Sequence, residues 1–537
     1  MKRESRSVTV MARAELRDIS QVLFTVLMGR GNMKMLTSEE EIEVHNARKG
    51  GFTLLHAAAE LGDAGLVDVL LREDGINVNK SSKEGTALYM AAIKGHEQVV
   101  EMLLEYEGIS LNDQNQQGFT PLYAAADMGH AKVVEMLLRR GVPVNQAMPD
   151  GANPLHIAAQ NGHHGVVRVL LQEEGINKNP EMNDGASPLQ LAAENGHNVV
   201  VDILMRTAVI EVNHQDSYGV TALYMAAQNG HEEVAKILLN HEDIEVDTAT
   251  AEGATALQIA AESGHVEVVK LLLGKEGIDL NMRDKDGFAA LYLSAQNGHS
   301  EVVKLLLKGT GILVNQGVDA TPLYIASQNG HAEVVETLLS DERVQVNRGK
   351  AGFTPLYIAA QRGFDRVVAL LLTKDGSMIN QAMSDGATAI FTACERGHAK
   401  VVELLLTKRG VKLNLALYVA AQNGHVQVVD LLLRDDRVDV NESLNDGTSP
   451  LSVASSCGHM KVVQSLLNME GVEVDKADQW GGTALLYAAE RKHYKIVKLL
   501  LRHYVKVTKP TWYQLKKMGV FHRLASRGRK EMIKHSC

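Results

Sequence analysis

Cysteine, aromatic residues and long apolar runs are all scarce in this chain of 537 residues. The three cysteines (Cys394, Cys457 and Cys537) are too few and too scattered for a disulfide framework or a zinc site. Aromatic residues make up 4% of the chain, which favours thin, closely packed layers over one large core. No apolar run approaches the roughly 18 residues that span a bilayer, and the first residues lack the apolar stretch of a secretory signal. We therefore expect no transmembrane segment and a reducing compartment, the cytoplasm, with the nucleus as the alternative.

Enzyme motifs are missing as well. The chain contains no phosphate-binding GxxxxGK[ST], no strand-borne GxGxxG, no HExxH and no nucleophile elbow. Outside the repeats described next, only about 50 residues remain at the front and about 33 at the back, which is small for a catalytic domain. We therefore predict a protein that is not an enzyme and that holds no cofactor and no catalytic metal.

A unit of about 34 residues recurs fourteen times from about Gly51 to Tyr504. Its opening position is Thr, Ser or Asn in twelve of the fourteen copies, and these residues cap helix N-termini by accepting a backbone N–H bond. The opening positions are Thr53, Thr86, Thr120, Asn153, Ser187, Thr221, Thr255, Ala289, Thr321, Thr354, Thr388, Leu415, Ser449 and Thr483.

Each unit predicts two short helices and a connector. Six copies place Pro after the cap, where no N–H is needed, and Leu-x-x-Ala-Ala continues a first helix with a small face. Gly follows nine residues after the opening position in thirteen copies, as a helix stop does. Val-Val and Leu-Leu then recur at helical spacing, before a turn-rich connector such as GIDLNMRDKDGF. One such unit cannot bury both of its faces, so neighbouring units must stack.

This pattern, G-x-T-P-L-H-x-A-A-x-x-G-H-x-x-V-V-x-x-L-L, resembles the ankyrin repeat over roughly 85% of the chain. The resemblance implies an all-α solenoid of stacked antiparallel helix pairs with β-hairpin fingers. It also implies a non-enzymatic, monomeric scaffold or adaptor that binds partner proteins through a concave groove and the fingers. We expect an N-terminal segment with a degenerate capping repeat (1–50), the repeat array (51–504) and a basic, degenerate C-terminal capping repeat or tail (505–537).

Histidine and tyrosine recur at fixed places in the unit. Eleven histidines from His96 to His459 follow the conserved Gly of the unit, and His493 stands at the same place. One histidine per layer, about 10 Å from the next, is too far apart to share a metal ion, so we predict a structural role. Tyrosine replaces the H of TPLH in seven copies, where it either packs between repeats or lines a ligand groove. These are Tyr89, Tyr123, Tyr224, Tyr292, Tyr324, Tyr357 and Tyr418.

The two residues after Ala-Ala, here called the paired positions, lie on the concave groove in the resembled family. They begin with Glu60-Leu61, Ile93-Lys94 and Asp127-Met128 and become mostly Gln-Asn in the middle of the array. As candidate partner-binding residues we name Gln160, Asn161, Gln228, Asn229, Gln296, Asn297, Gln328 and Asn329. The alternative is that Gln-Asn is a solvated default and that no partner binds there.

Aromatic residues in the fingers form a second candidate surface. Four phenylalanines directly precede the opening position, and Tyr218 and Trp480 lie nearby in their own fingers. Such rings either anchor a partner or pack finger against finger, and the sequence does not separate these readings. The candidates are Phe52, Phe119, Tyr218, Phe288, Phe353 and Trp480.

Three places depart from the repeat rule. Ala289 cannot cap a helix, and the next spacing is 32 residues, with Asp319 where a finger glycine is expected. Leu415 follows a spacing of only 27 residues and replaces both the cap and the finger tip. We predict that the helices stack across Leu415 without a break, that the row of fingers has a gap there, and that this helix start is weaker by about 1 kcal/mol.

Charge is concentrated at one end. Residues 491–537 hold fourteen Lys or Arg and one acid, a net +13, so residues 1–490 carry −23. This basic segment predicts an alternative function, binding to nucleic acid or an anionic membrane, and Trp512, Leu515 and Phe521 give it an amphipathic character. The simpler reading is a cationic end cap that interacts with the acids of the array.

Overall fold

The computed structural model describes residues 51–317, 320–374, 378–384 and 386–503, together with the single residues Tyr513, Lys516, Lys517 and Gly519. The chain divides into two compact units, Met1–Ile278 and Asp279–Cys537, and each is described by itself. The degenerate capping repeats expected near residues 18–50 and 521–533 lie outside the described residues, as do Asp319, Trp512, Leu515 and Phe521.

From residue 51 on, where its description begins, the first unit contains seven helix pairs, one for each of the predicted repeats that open at Thr53 to Thr255. Its helices are α1 (Leu54–Leu61), α2 (Ala64–Leu71), α3 (Ala87–Lys94), α4 (Glu97–Glu105), α5 (Pro121–Asp127), α6 (Ala131–Arg139), α7 (Pro154–Gln160), α8 (His164–Gln172), α9 (Pro188–Glu194), α10 (Asn198–Met205), α11 (Ala222–Asn229), α12 (Glu232–Leu239), α13 (Ala256–Ser263) and α14 (Val266–Leu273).

The second unit also contains seven helix pairs in its described residues. Its helices are α15 (Ala290–Asn297), α16 (Ser300–Leu307), α17 (Pro322–Asn329), α18 (Ala332–Leu339), α19 (Pro355–Arg362), α20 (Asp365–Leu371), α21 (Ala389–Arg396), α22 (Ala399–Leu406), α23 (Ala416–Asn423), α24 (Val426–Leu432), α25 (Pro450–Cys457), α26 (Met460–Leu467), α27 (Ala484–Glu490) and α28 (Tyr494–Arg502).

The first helix of a pair begins and ends where the sequence predicts. The Thr120 side chain accepts the Tyr123 N–H at 3.2 Å, and Pro121 occupies the first turn of α5, where no donor is required. At the other end of a first helix, Gly95 follows α3 with φ +74°, which residues with a side chain rarely adopt. A Cβ on Gly95 would also lie only 2.4 Å from the His130 ring, so glycine is required there for two reasons.

Apolar burial joins the pairs within each unit. Leu88, Ala91, Val100 and Leu103 are all 0% exposed, and α3 contacts both α1 and α5. Full burial of a leucine side chain stabilises a fold by about 1.5–3 kcal/mol, so each layer gains most of its stability from its two neighbours. The all-α solenoid of stacked helix pairs is therefore confirmed.

The fingers are turns, without regular strands in the described residues. Only two isolated bridges occur there, Ser82 to Gly85 and Lys350 to Phe353. In a typical finger the Asn115 N–H donates to the Phe119 carbonyl at 3.0 Å, while the Asn115 side chain accepts the Phe119 N–H at 2.9 Å. A loop closed this tightly has no residues left for a ladder, so the expected β-hairpins do not form there.

The shortened repeat at Leu415 keeps its place in the stack. Helix α23 contacts α21 before it and α25 after it, and Leu417 is 1% exposed, as expected for an unbroken core. Leu415 makes no side-chain cap and takes φ +56°, a left-handed conformation that is unfavourable for leucine. Its own N–H donates to the Glu442 carboxylate at 3.0 Å, so a side chain of the next repeat ties this helix start in place without replacing the cap.

The bonds of the connector asparagine are also replaced at the shortened repeat. In the preceding repeat the Asn380 side chain donates to the Gly410 carbonyl at 2.7 Å and accepts the Lys412 N–H at 2.8 Å. Asn414, the equivalent residue, is exposed and makes no such pair of bonds. Arg437 reaches back instead and donates to the Leu406 carbonyl at 2.9 Å. Two side chains from the following repeat therefore hold the shortened joint.

Candidate functional site

The recurring histidines tie each repeat to the one before it. The His96 ring donates from Nε2 to the Glu60 carbonyl at 2.9 Å, at the end of the preceding first helix. The same bond, 2.8–3.2 Å long, is made by His130, His163, His197, His231, His265, His331, His398, His425, His459 and His493. These rings are structural donors, and no group of metal-ligating side chains occurs in the described residues.

Two further histidines act at helix starts in the first unit. The Asn153 N–H donates to Nδ1 of His156 at 3.2 Å, which places the ring proton on Nε2, 3.2 Å from the Ala186 carbonyl of the next repeat. Burial lowers the pKa of His156 to about 4, so the ring is neutral at physiological pH. His56 makes the same pair of bonds, and burial lowers its pKa too.

Tyrosine at this position packs between repeats. Tyr89, Tyr292 and Tyr324 are 6%, 6% and 4% exposed, and only Tyr224 of the seven is half-buried. Burial, together with the charge of Asp127, raises the pKa of Tyr89 and of Tyr123 to about 12. The buried rings therefore belong to the stacking interface.

The Gln and Asn of the paired positions have different surroundings. Asn161 donates to the Asp127 carboxylate at 2.8 Å, Asn229 to the Met225 carbonyl at 3.0 Å, and Asn297 and Asn329 to carbonyls of first helices at 3.1 and 2.8 Å. The side chains of Gln160 and Gln228 are exposed, those of Gln296 and Gln328 are half-buried, and none of the four forms a side-chain hydrogen bond in the described residues. The glutamines are thus free for contacts, whereas the asparagines close helix ends.

The paired positions carry different charge in the two units. In the first unit the charged residues are Glu60, Lys94, Asp127, Glu194 and Glu262. Lys94 lies 3.4 Å from Glu60, and burial raises the pKa of Asp127 despite its bond from Asn161. In the second unit the charged residues are Arg362, Glu395, Arg396, Glu490 and Arg491. The first surface is acidic, and the second is slightly basic.

The finger phenylalanines pack on their own repeats. The ring of Phe119 stacks on Tyr123 with centroids 5.2 Å apart, and Phe288 stacks on Tyr292 at 4.5 Å. Phe52 and Phe353 contact the His56 and Tyr357 rings at 5.3 and 5.1 Å. Each phenylalanine is half-buried against the residue four places on, so most of its apolar area is already covered.

Tyr218 and Trp480 form a separate class of finger aromatics. Both stand three residues before the opening position, and they are 67% and 70% exposed. Their backbone N–H groups each donate at 2.9 Å to an aspartate two residues earlier, Asp216 and Asp478. The turn is therefore held rigidly while the ring points away from the protein surface. Sequence position relative to the cap distinguishes the two classes.

The finger of Trp480 has an additional brace. The Tyr487 hydroxyl donates to the Asp478 carboxylate, whose other oxygen accepts the Gly482 N–H at 2.7 Å. Burial opposes ionisation of Asp478, but these bonds outweigh it and hold its pKa below the usual range, while the same contact raises the pKa of Tyr487 to about 12. Backbone bonds also join neighbouring fingers, as from the Gln479 N–H to the Asp446 carbonyl at 2.8 Å.

The recurring asparagines of the connectors have a structural role that the sequence analysis above did not predict. Asn145 donates to the Gly175 carbonyl at 2.8 Å and accepts the Asn177 N–H at 2.9 Å, so one amide joins two successive connectors. Asn79, Asn213, Asn281, Asn315 and Asn441 repeat this pair of bonds. The recurring signature of Val or Ile, any residue, Val or Leu, and then Asn would have revealed it.

The basic segment is described only in its first part. Helix α28 presents Lys495 and Arg502 as exposed side chains, while Ile496, Val497 and Leu500 are buried. Residues 504–512 and almost all of the chain after them lie outside the described residues. None of the described helices is long and apolar enough to cross a membrane. Cys394 and Cys457 are free thiols, the first buried and the second exposed.

Layers of short antiparallel helix pairs, most of them linked to the preceding layer by a histidine and many also by a connector asparagine, define a helical-repeat protein. The family model described as ankyrin repeats (3 copies) matches residues 55–148, 140–216, 202–284, 276–350, 342–416, 374–443 and 417–511. The chain belongs to the ankyrin-repeat family. A search of curated proteins gives no match. Ankyrin repeats are generally protein–protein interaction modules, which makes protein partners the class to consider first.

Proposed function

We propose that this chain is a non-enzymatic, cytoplasmic scaffold or adaptor that binds partner proteins through the groove of paired positions and through its fingers. The observation that carries the proposal is the exposure of Tyr218 and Trp480 on finger turns that aspartate side chains hold in place. An exposed aromatic ring on a rigid turn loses little conformational freedom when a partner covers it, and such rings dominate the energy of many interfaces.

The groove supplies the second part of the surface. The side chains of Gln160 and Gln228 are exposed and have unused donors and acceptors, so they can pair with a partner backbone without breaking an internal bond. The acids Glu194 and Glu262 stand at the equivalent position in the repeats that alternate with these glutamines. We therefore propose that the first unit favours a basic partner segment.

Affinity capture from cell extract with the full chain tests this proposal. The Tyr218→Ser/Trp480→Ser variant should lose, or retain at least tenfold less of, the proteins that the unchanged chain captures, since each ring is expected to contribute about 1–2 kcal/mol. Gln117→Ser/Glu252→Ser is the matched control, because both residues occupy the same place in their fingers. A captured set that is the same for the unchanged chain and for both variants would remove the finger aromatics from the interface.

Phenylalanine variants provide a separate comparison. Because Phe119 and Phe353 pack against buried tyrosines, Phe119→Ala/Phe353→Ala should lower thermal stability before it changes the captured proteins. Loss of partners at unchanged stability would instead return these two rings to the binding surface.

The alternative function, binding of nucleic acid or anionic membrane, depends on the charge of residues 491–537. In the part of this segment that the structure describes, the exposed cations are Arg491, Lys492, Lys495, Arg502, Lys516 and Lys517. The full chain should then bind single-stranded nucleic acid or anionic vesicles with an affinity that falls steeply as salt rises, and deletion of residues 505–537 should abolish it. Absence of binding at about 50 mM salt would leave the segment as an end cap.

A further inference from the structure

A cavity of about 410 Å³ lies among three successive connectors of the second unit. Its walls include the guanidinium-bearing side chains of Arg283, Arg343 and Arg348, the apolar side chain of Leu313 and the amide of Gln316. Among the described residues, no acidic side chain lines it. The spacing from Ala289 to Thr321 is two residues shorter than the usual 34, so less chain is available to cover this place. We call it the connector pocket.

Arg343 is held in place by other groups of this chain, and its charge is neutralised by one of them. Its guanidinium lies 2.7 Å from the Asp341 carboxylate and donates to the Leu307 carbonyl at 3.0 Å. The hydrogen bonds from Arg343 hold the pKa of Asp341 below its usual range, so this ion pair persists at physiological pH. Arg343 therefore builds one wall of the pocket and adds little net charge.

Arg283 and Arg348 bring positive charge that no described acidic side chain balances. Both are exposed, and neither forms an ion pair or a side-chain hydrogen bond in the described residues. Asp284, the neighbour of Arg283, accepts the Phe288 N–H at 2.8 Å within its own finger. Two unpaired guanidiniums on one cavity match the charge of close to −2 on a phosphate monoester, which also accepts their forked hydrogen bonds.

Two further groups indicate that the ligand is a peptide. The Gln316 amide donates to the Asn281 carbonyl at 3.1 Å, but its Oε1 has no partner in the described residues. A phosphate cannot donate to this oxygen, whereas a peptide N–H can after a rotation of the amide. Leu313 is 56% exposed beside it and offers an apolar contact. An extended peptide with a phosphorylated side chain supplies the anion, the donor and the apolar group together.

We propose that the connector pocket binds a phosphorylated side chain of an extended peptide segment from a partner protein. Arg283 and Arg348 hold the phosphate, Arg343 positions the wall between them, and Gln316 and Leu313 contact the peptide. None of these residues belongs to the paired positions or finger aromatics, so this site is independent of the proposed groove.

The test uses the full-length chain on an array of short peptides with randomised flanks around a central phosphoserine, with the unphosphorylated array beside it. The strongest peptide is then titrated by fluorescence anisotropy. We expect binding only to phosphorylated peptides, with an affinity that weakens as NaCl is raised above about 50 mM. Arg283→Gln/Arg348→Gln should weaken binding at least tenfold, and Arg283→Lys/Arg348→Lys should be intermediate because it keeps the charge but loses the fork.

Arg168→Gln/Arg434→Gln is the control, since both arginines are exposed and unpaired in the described residues and lie elsewhere. It should change the affinity less than twofold, and all variants should retain the helical circular dichroism of the unchanged chain. The proposal is overturned if unphosphorylated peptides bind equally, if the control pair loses as much affinity, or if no phosphopeptide binds. It is also overturned if inorganic phosphate competes at the same concentration as the peptide, because the site would then hold a free anion only.

Discussion

The two units have the same pattern of buried apolar residues, but the polar bonds around these residues differ. In the first unit all seven first helices begin at Thr, Ser or Asn, and two of these starts are completed by a buried histidine. In the second unit Ala289 and Leu415 make no cap, and Phe364 stands where its neighbours have the linking histidine. The helices of the second unit nevertheless stack from α15 to α28.

This difference shows which interactions hold the helix layers of a unit together. Val367, Leu371 and Leu417 are 0–1% exposed beside the altered positions, as the equivalent residues of the first unit are. Apolar burial of about 1.5–3 kcal/mol per large side chain is enough to hold a layer that lacks a cap, because a cap contributes only about 1 kcal/mol. The polar bonds therefore set local stability and leave the arrangement of helices unchanged.

The largest expected difference between the two units is in how the opening free energy of their helices depends on pH. The pKa of His156 is about 4 in the folded protein, below the usual value of about 6.5, so the unfolded chain binds more protons between these values. The contribution of this neutral histidine is complete above pH 6.5 or so and is lost as the pH falls towards about 4. Helix α7 should lose about 2–3 kcal/mol of opening free energy at acid pH, measured by native-state hydrogen exchange corrected for intrinsic rates.

A matched variant isolates this effect. Gln190 makes the same two bonds in its own repeat, accepting the Ser187 N–H at 2.8 Å and donating to the Val220 carbonyl at 2.7 Å, without titrating. His156→Gln should therefore remain folded and lose most of the pH dependence of α7. Helix α19 of the second unit, which carries Tyr357 at this position, should show no such dependence. Equal slopes in α7 and α19 would contradict the assignment.

The start of α23 should open more easily than that of α11, its counterpart in the first unit. Amides from Leu413 to Tyr418 should exchange about fivefold faster than those around Tyr224, which corresponds to about 1 kcal/mol for the missing cap. Leu415→Asn should recover about 0.5–1 kcal/mol, because asparagine tolerates the left-handed conformation better than leucine. Glu442→Leu should weaken the joint further by removing the acceptor of the Leu415 N–H.

Thr221→Ala provides the control for this joint, since it should make the start of α11 exchange like that of α23. Exchange near Leu413 that is no faster than near Tyr224 would mean that Glu442 and Arg437 compensate fully for the lost cap and connector bonds.

Restoring a histidine at Phe364 should have the smallest effect. Phenylalanine cannot donate to the Gln328 carbonyl, whereas His398 donates to the Gln361 carbonyl at 3.0 Å in the next repeat. Phe364→His should stabilise α19 and α20 by about 0.5–1 kcal/mol in hydrogen exchange, and His398→Phe should destabilise the following layer by a similar amount. A loss of stability in Phe364→His would show that the phenylalanine ring packs better than the bond it replaces.

Much of the fold was predictable because the same unit recurs. The caps at Thr86 and Thr120, the left-handed Gly95 and the buried Val-Val and Leu-Leu positions follow from local preferences that one repeat already displays. With fourteen copies, the common pattern is recognisable even though single copies deviate from it. The expected β-hairpins are not seen as strands in the described fingers, where the Asn115 side chain accepts the Phe119 N–H. The candidate site was predicted as a set of positions. The sequence did not show which of these side chains are exposed and free and which are covered or hydrogen-bonded.

By itself the sequence determined the repeat length, the two helices of each unit, their caps and the apolar faces that stack, since all of these depend on neighbours within one unit. Only the tertiary structure decided that Phe119 is covered while Trp480 is exposed, that Glu442 serves Leu415, and that Arg283 and Arg348 meet at one cavity. These outcomes depend on residues about 30 positions or more apart, or on the direction in which a side chain points. The spacing of a repeat marks the two kinds of finger position, but it does not show which rings are covered or which distant side chains meet.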